Sequence, residues 1–352
     1  MTRTRTDAVA EAGREALTEA GAEVGVELAT KAVTAAGGAQ GSTGGEALVD
    51  FCAQSGRSMP VMLGALVVSM RPKQWVKNLL VFAGLIFSKN LMHGPSVLRS
   101  FAGFVSFCLL SGAVYIINDL VDKEQDRRHP TKKDRPIASG RVPGPVALTG
   151  AGLAVGVAFV VGFALDWRFG FVGLVYFVMQ LAYSLKLKQV VVLDVLIVAL
   201  GFALRAISGT YVVHVRISPW LFICTILLAL FVALAKRRHE LVFLEGGGIS
   251  HRSVLGKYNE TLLDQMIAVA TSATVVAYCL YTIAPETVEK FGTNKLYLTF
   301  PFVLYGICRY LYLVYRKDLG GTPEKVLFSD VPLLVDIFLW MATVVVILYV
   351  RF

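Results

Sequence analysis

Long uncharged runs decide most of what this chain can fold into. A backbone inside a lipid hydrocarbon layer has no water to bond, so it must satisfy its own polar groups, and a run of about twenty apolar residues does so as a helix. Runs of that kind are expected to span at about 98–118, 144–165, 168–185, 190–213, 218–235, 264–284, 296–315 and 331–350. A further span is placed at about 74–92, although its clean apolar stretch, Leu79 to Phe87, is short. The expected fold is therefore an all-α polytopic membrane protein with nine transmembrane helices. At 55% hydrophobic and 17% charged residues the chain is too apolar for an ordinary soluble domain.

Loop charge orients these spans. The loops at 119–143, 186–189, 236–263 and 316–330 hold 17 Lys and Arg, and the opposite loops hold six. The positive-inside rule puts the first set in the cytoplasm, with a cytoplasmic N-terminus and an external C-terminus in a plasma (inner) membrane. Residues 1–58 hold five basic and eight acidic residues, so 59–352 carries a net +12. Beside apolar spans, such a basic surface suits anionic lipid or phosphorylated substrates rather than nucleic acid.

Residues 1–58 form an extension rich in Ala, Gly, Thr and Glu, with Glu11, Glu15, Glu19, Glu23 and Glu27 at four-residue steps. Repeated Glu at that spacing weakens a helix, so a marginal helix or disordered tail is expected, followed by a catalytic domain over 59–352. The five cysteines are scattered with no paired spacing, and read as small core residues rather than a disulfide framework or zinc site.

The stretch from Tyr115 to Arg141 carries the chemistry. It begins where the run Phe101 to Ile117 stops, at the water-facing end of a span. At 100° per residue Asn118, Asp122 and Asp126 fall within about an 80° arc, with Asp119 about 100° from Asn118. Like charges at that spacing repel, and carboxylates at a helix C-terminus oppose its dipole, so something positive must offset them. Oxygen-only ligands suit Mg²⁺, and the basic residues that follow (Arg127, Arg128, Lys132, Lys133, Arg135, Arg141) suit phosphorylated substrates. A solvated loop of mutually neutralising charges is the plainer alternative.

Asn-Asp-x-x-Asp-x-x-x-Asp at 118–126, followed by Arg-Pro-Ile-Ala-Ser-Gly at 135–140, resembles the first aspartate-rich motif and following loop of the UbiA superfamily of intramembrane prenyltransferases. Within it, the decaprenyl-phosphate phosphoribosyltransferase branch is most similar, through Arg71 to Asn78 (Arg-Pro-Lys-Gln-Trp-Val-Lys-Asn), Gln180 to Lys188 and Leu204 to Gly209. The resemblance covers roughly 65–352. It implies helices around a central cavity, Mg²⁺ on Asp119, Asp122 and Asp126 with Asn118 beside them, and transfer of phosphoribosyl from phosphoribosyl diphosphate to a long-chain polyprenyl phosphate in the making of the cell envelope. Lys73, Lys77, Tyr115, Arg127, Lys132, Lys133 and Arg135 become candidate substrate contacts.

Further candidates lie on the same expected cytoplasmic face. Tyr183, Lys186 and Lys188 end one span, where interfacial lysines are also ordinary. Asp194 and Arg205 lie about 20° apart on a helix, placed either to meet substrate or to bridge each other. Where typical superfamily members carry a second acidic motif, this chain reads Lys236-Arg237-Arg238-His239-Glu240, which suits direct capture of a donor phosphate but also an ordinary basic loop. The rival readings are a prenyltransferase acting on an aromatic acceptor and a transporter. The residues leave oligomeric state open, a homo-oligomer included.

Overall fold

The computed structural model describes residues 59–88, 90–130, 132–215, 219–245, 254–317, 326 and 329–349, and among them there are helices and no strand. The N-terminal extension and Gly246 to Gly248 lie outside the described residues. We number the α-helices α1 (Met59–Ser69), α2 (Ala83–Ile86), α3 (Gly94–Val121), α4 (Lys123–Arg128), α5 (Gly144–Leu165), α6 (Trp167–Leu185), α7 (Leu193–Val212), α8 (Pro219–Glu245), α9 (Glu260–Ile283), α10 (Pro285–Phe291), α11 (Phe300–Arg316) and α12 (Val331–Tyr349).

Seven described helical segments are long and apolar enough to cross a membrane: α3, α5, α6, α7, α9, Lys295–Arg316 and α12. The expected sixth span lies within α8, which carries no charged residue before Lys236. The chain is thus a multi-pass membrane protein; among the described residues seven of the nine expected spans meet that measure of length and apolarity. The span expected at 74–92 is a 3-10 helix over Pro72–Phe82 followed by the four residues of α2. Pro72 follows Arg71, whose backbone is left-handed (φ 54°), and the polar Gln74, Lys77 and Asn78 interrupt the apolar face. Asn78 is itself buried and donates to Cys108 Sγ and Ser111 Oγ at 3.2 Å.

Proline in the first turn starts α3, α5, α10 and α11, where its missing N–H costs nothing. Asn259 caps α9 by accepting from Leu262 N at 2.7 Å, and Gly292 ends α10 at φ 66°. Leu98, Val160, Val269 and Phe338 are each at least 70% exposed. Apolar faces that open stand to lipid what a core is to water.

The described residues group into two compact units. The first takes in those of Met1–Leu85, His93–Leu181 and Ser208–His214. Here α3 packs along α5, and Ser106 Oγ donates to Ala158 O at 2.9 Å between them. Phe107 lies edge-on to Phe169, centroids 5.6 Å apart. A side chain on Gly209 would overlap the Val81 carbonyl, and one on Gly84 the Gly209 carbonyl, so two glycines let the 3-10 segment and α2 meet the end of α7 backbone to backbone. The second unit takes in the described residues of Ile86–Met92, Ala182–Ile207 and Val215–Phe352. Its core joins α8, α9 and α11 through Phe231, Leu234, Leu263, Ile267, Tyr310 and Leu313.

Candidate active site

In the first unit the acid-rich stretch is bent where one continuous helical face was expected. Helix α3 ends at Val121, Asp122 takes the capping position (φ −87°, ψ 5°), and α4 restarts at Lys123. The repulsion among carboxylates at a helix C-terminus gives a physical reason for the break. The bend sorts the four acceptors into two groups. Asn118 Nδ2 donates to Asp122 Oδ2 at 3.1 Å. Asp119 and Asp126 are buried and share a cation: Arg135 Nη1 donates to Asp119 Oδ1 at 3.0 Å and to Asp126 Oδ2 at 2.6 Å.

A second guanidinium meets the same acid. Arg71 Nη2 donates to Asp119 Oδ1 at 2.5 Å, while its guanidinium carbon lies 4.7 Å from the centroid of the Tyr115 ring. Arg71 was not singled out from sequence as a site residue. Its signal was there in Arg-Pro-Lys-Gln-Trp-Val-Lys-Asn, where Lys73 and Lys77 drew attention instead. Lys77 Nζ in fact donates to Gln74 Oε1 at 2.5 Å. Lys132 Nζ stands 4.0 Å from Asp126 Oδ1. Arg127 turns to its own loop, donating to Ala138 O at 3.0 Å and Glu124 Oε1 at 2.9 Å. Lys133 sits in the same turn, its N–H donating to His129 O at 3.2 Å.

Hard oxygen donors dominate this cluster, as Mg²⁺ requires. Asp119, Asp122, Asp126 and the Asn118 amide oxygen therefore suit a divalent cation chemically. Among the described residues no three His, Cys, Asp or Glu side chains already converge on one point. The arginines are what hold the acids in place.

The second unit holds a separate network. The stretch at 236–240 is no loop: α8 continues through it to Glu245, and its two arginines pair with acids. Arg237, with 4% of its side chain exposed, donates to Asp194 Oδ2 and to Glu240 Oε2, each at 2.6 Å, and to the Tyr183 hydroxyl at 3.4 Å. Tyr258 donates to Asp194 Oδ1 at 2.8 Å and accepts from Val192 N at 2.7 Å. Burial pushes the Tyr258 phenol up to about 12; the Val192 N–H works the other way, and the neighbouring carboxylate adds to the rise.

Asp194 thus takes its arginine from Arg237. Arg205, which helical spacing put on the same side as Asp194 for either a bridge or a substrate contact, donates to Gly201 O at 2.8 Å, four residues back on its own helix. Arg238 is held by Asp264 at 2.5 Å and Glu260 at 3.2 Å, and lies 4.3 Å from the Tyr315 ring centroid. Tyr183, Glu240 and Arg237 therefore come together, with Lys236 beside them in sequence. Lys186 and Lys188 lie just beyond α6, at the short 3-10 turn Leu187–Gln189.

An all-α, multi-pass chain that ends one span in buried carboxylates, each held by arginine, defines a class: membrane-embedded enzymes whose charged chemistry sits where a span reaches water. The chain belongs to the UbiA prenyltransferase family, whose model matches residues 58–342. A Mycolicibacterium smegmatis protein named decaprenyl-phosphate phosphoribosyltransferase is 32% identical, over 80% of this chain and 92% of its own. A Corynebacterium glutamicum protein of the same name is also 32% identical, over 81% and 87%. Among solved structures, a UbiA homolog from Archaeoglobus fulgidus bound to GPP and Mg²⁺ matches with a TM-score of 0.63 at 16% identity, over 81% of this chain and 100% of that one. That likeness is one of fold.

Proposed function

We propose that this chain transfers the 5-phosphoribosyl group of phosphoribosyl diphosphate to a long-chain polyprenyl phosphate, releasing diphosphate. The observation that carries the reading is likeness over most of both chains to proteins named for that reaction on decaprenyl phosphate. The stretch at 236–240 fits the same reading, since it carries no aspartate pair to hold a prenyl diphosphate.

Asp119, Asp122 and Asp126 would hold Mg²⁺, with Asn118 steadying Asp122 through its amide. A Mg²⁺ held there would supply positive charge to offset that of the leaving diphosphate. The rest of the reaction asks little covalent help from the protein. A phosphate monoester is already largely ionised near neutral pH, its second pKa being about 6, so its oxygen attacks without a general base. That oxygen bonds to the anomeric carbon while the carbon–oxygen bond to diphosphate breaks, and the electron pair departs with diphosphate. Lys132 and Lys133 lie on the loop beside the acids, where their charge offsets two anionic substrates. Within the second unit, Arg237, buried and paired, positions Tyr183 and Glu240 rather than meeting a phosphate directly.

On this reading the acid-rich loop and the N-terminus face the cytoplasm of a plasma-membrane enzyme, and 59–352 is the catalytic part. Purified protein with labelled phosphoribosyl diphosphate, polyprenyl phosphate and Mg²⁺ should yield a labelled lipid, and excess EDTA should stop its formation. Asp122→Asn or Asp126→Asn should slow turnover at least ~100-fold, the scale of one lost electrostatic contact in the transition state. Prenyl transfer is the reading that survives if geranyl diphosphate, and not phosphoribosyl diphosphate, raises the melting temperature in Mg²⁺.

A further inference from the structure

Arg135 holds a position with unusual requirements. Its Nη1 alone lies within hydrogen-bond distance of two different carboxylates, 3.0 Å from Asp119 Oδ1 and 2.6 Å from Asp126 Oδ2. Both acids are almost fully buried, their side chains 3% and 5% exposed, whereas that of Arg135 is 27% exposed. Two ionised carboxylates buried side by side repel each other, and a positive charge between them offsets that repulsion. A hard divalent cation bridging the same two acids needs the same oxygens and the same space. Two cations cannot share that space.

We propose that Arg135 is a built-in counter-ion that competes with the metal for Asp119 and Asp126: it keeps the acid pair assembled, and metal binding displaces its guanidinium. This rests on the reading above that these aspartates hold the metal. Three observations fit exchange better than a permanent clamp. Arg135 bonds each acid through a single nitrogen rather than as a bidentate fork, the tighter arrangement arginine can make. Its side chain reaches water, so it has somewhere to go. Asp119 also keeps a second arginine, Arg71, on the same Oδ1, so the buried acid is not left without a counter-charge when Arg135 moves. Arg71 is itself steadied against Tyr115. Once displaced, the guanidinium remains tethered within a few ångströms of the metal. There it is a ready bidentate partner for a donor phosphate. The basic loop would then change conformation with metal loading before the donor arrives.

The test measures metal affinity rather than turnover. Mn²⁺ is titrated into full-length detergent-purified protein, free Mn²⁺ being followed by electron paramagnetic resonance. Arg135→Gln removes the competitor, so Mn²⁺ should bind about tenfold more tightly or better, the worth of one charge-assisted contact. Arg141, which donates to Ser139 Oγ and the Asp134 carbonyl, is the comparison: Arg141→Gln removes the same charge from the same loop and should change affinity less than about threefold. Should Arg135→Gln not be recovered folded, Arg135→Lys takes its place. It keeps the charge, loses the planar guanidinium that reaches both acids, and should also tighten Mn²⁺ binding. Unchanged or weaker affinity in the Arg135 variants overturns the proposal, as does equal tightening in Arg141→Gln, which would reveal only a general field. Asp126→Asn separates this from the reading beneath it: Mn²⁺ bound as tightly as by the unaltered protein would show that the metal site itself is misplaced.

Discussion

Arg237 shows how far a single residue's surroundings decide its role. From sequence it is one of three cations that could grip a donor phosphate; in the structure it is buried against Asp194 and Glu240. Removing one partner of a buried pair leaves the other charge uncompensated, at a cost of about 3–5 kcal/mol. Arg237→Ala should therefore lower the melting temperature markedly, and Arg238→Ala, whose partners are more exposed, should do so less. An Arg237→Ala protein that melts normally but binds donor poorly would restore the direct role. Tyr258 adds a pH signature to the same network. Burial pushes its phenol up to about 12 from the ordinary 10.0, so the folded state holds the proton longer. The stability this contributes is present below pH 10 and is lost as pH rises from about 10 to about 12. Melting temperature followed across that window should fall less steeply in Tyr258→Phe than in the unaltered protein.

At the scale of elements, glycine placement separates contacts that cannot yield from faces that can. Gly209 closes the Leu-Arg-Ala-Ile-Ser-Gly stretch, and a methyl group there would strike the backbone of Val81, which has no side chain to rotate away. Gly209→Ala should destabilise by about 1–3 kcal/mol or more and disturb the end of the 3-10 segment that bears Lys77. Gly156, in the middle of α5, meets nothing within 4 Å. Gly156→Ala should be neutral or stabilising by up to about 1 kcal/mol, through helix propensity alone. Thermal unfolding in a fixed detergent compares the two, and a tolerant Gly209 would refute the close approach. The same stretch of chain explains why the first expected span went wrong. Apolar content at 79–87 suggested a crossing, yet a left-handed Arg71, a proline and a buried Asn78 set a 3-10 helix, and none of these is visible in hydropathy.

For the whole molecule, the extension and the catalytic part make different predictions. Residues 1–45 contain none of the proposed ligands, so their deletion should leave turnover of the purified enzyme largely intact, as expected of a polar terminal segment. A large loss in a variant that folds and binds Mn²⁺ normally would assign the extension a role in catalysis. Truncation after Leu185, by contrast, should abolish activity, since it removes Asp194, Arg237 and Tyr258 together.

Sequence alone determined the membrane class, because runs of apolar residues have no stable place in water and only helices satisfy their own backbone in lipid. It also determined where the acids stand, since Asp119, Asp122 and Asp126 close a span and little but a cationic partner can offset them there. Their partners were decided by tertiary structure. Arg71 lies 48 residues before Asp119, and Arg237 lies 43 after Asp194, separations that helical spacing cannot bridge. Spacing offered only Arg205 beside Asp194, as a bridge or as a second substrate contact, because periodicity reports which residues share a face of one helix and nothing about the helix that packs against it. An ion pair between helices forms only after both have been placed, so its identity is a property of the packed chain.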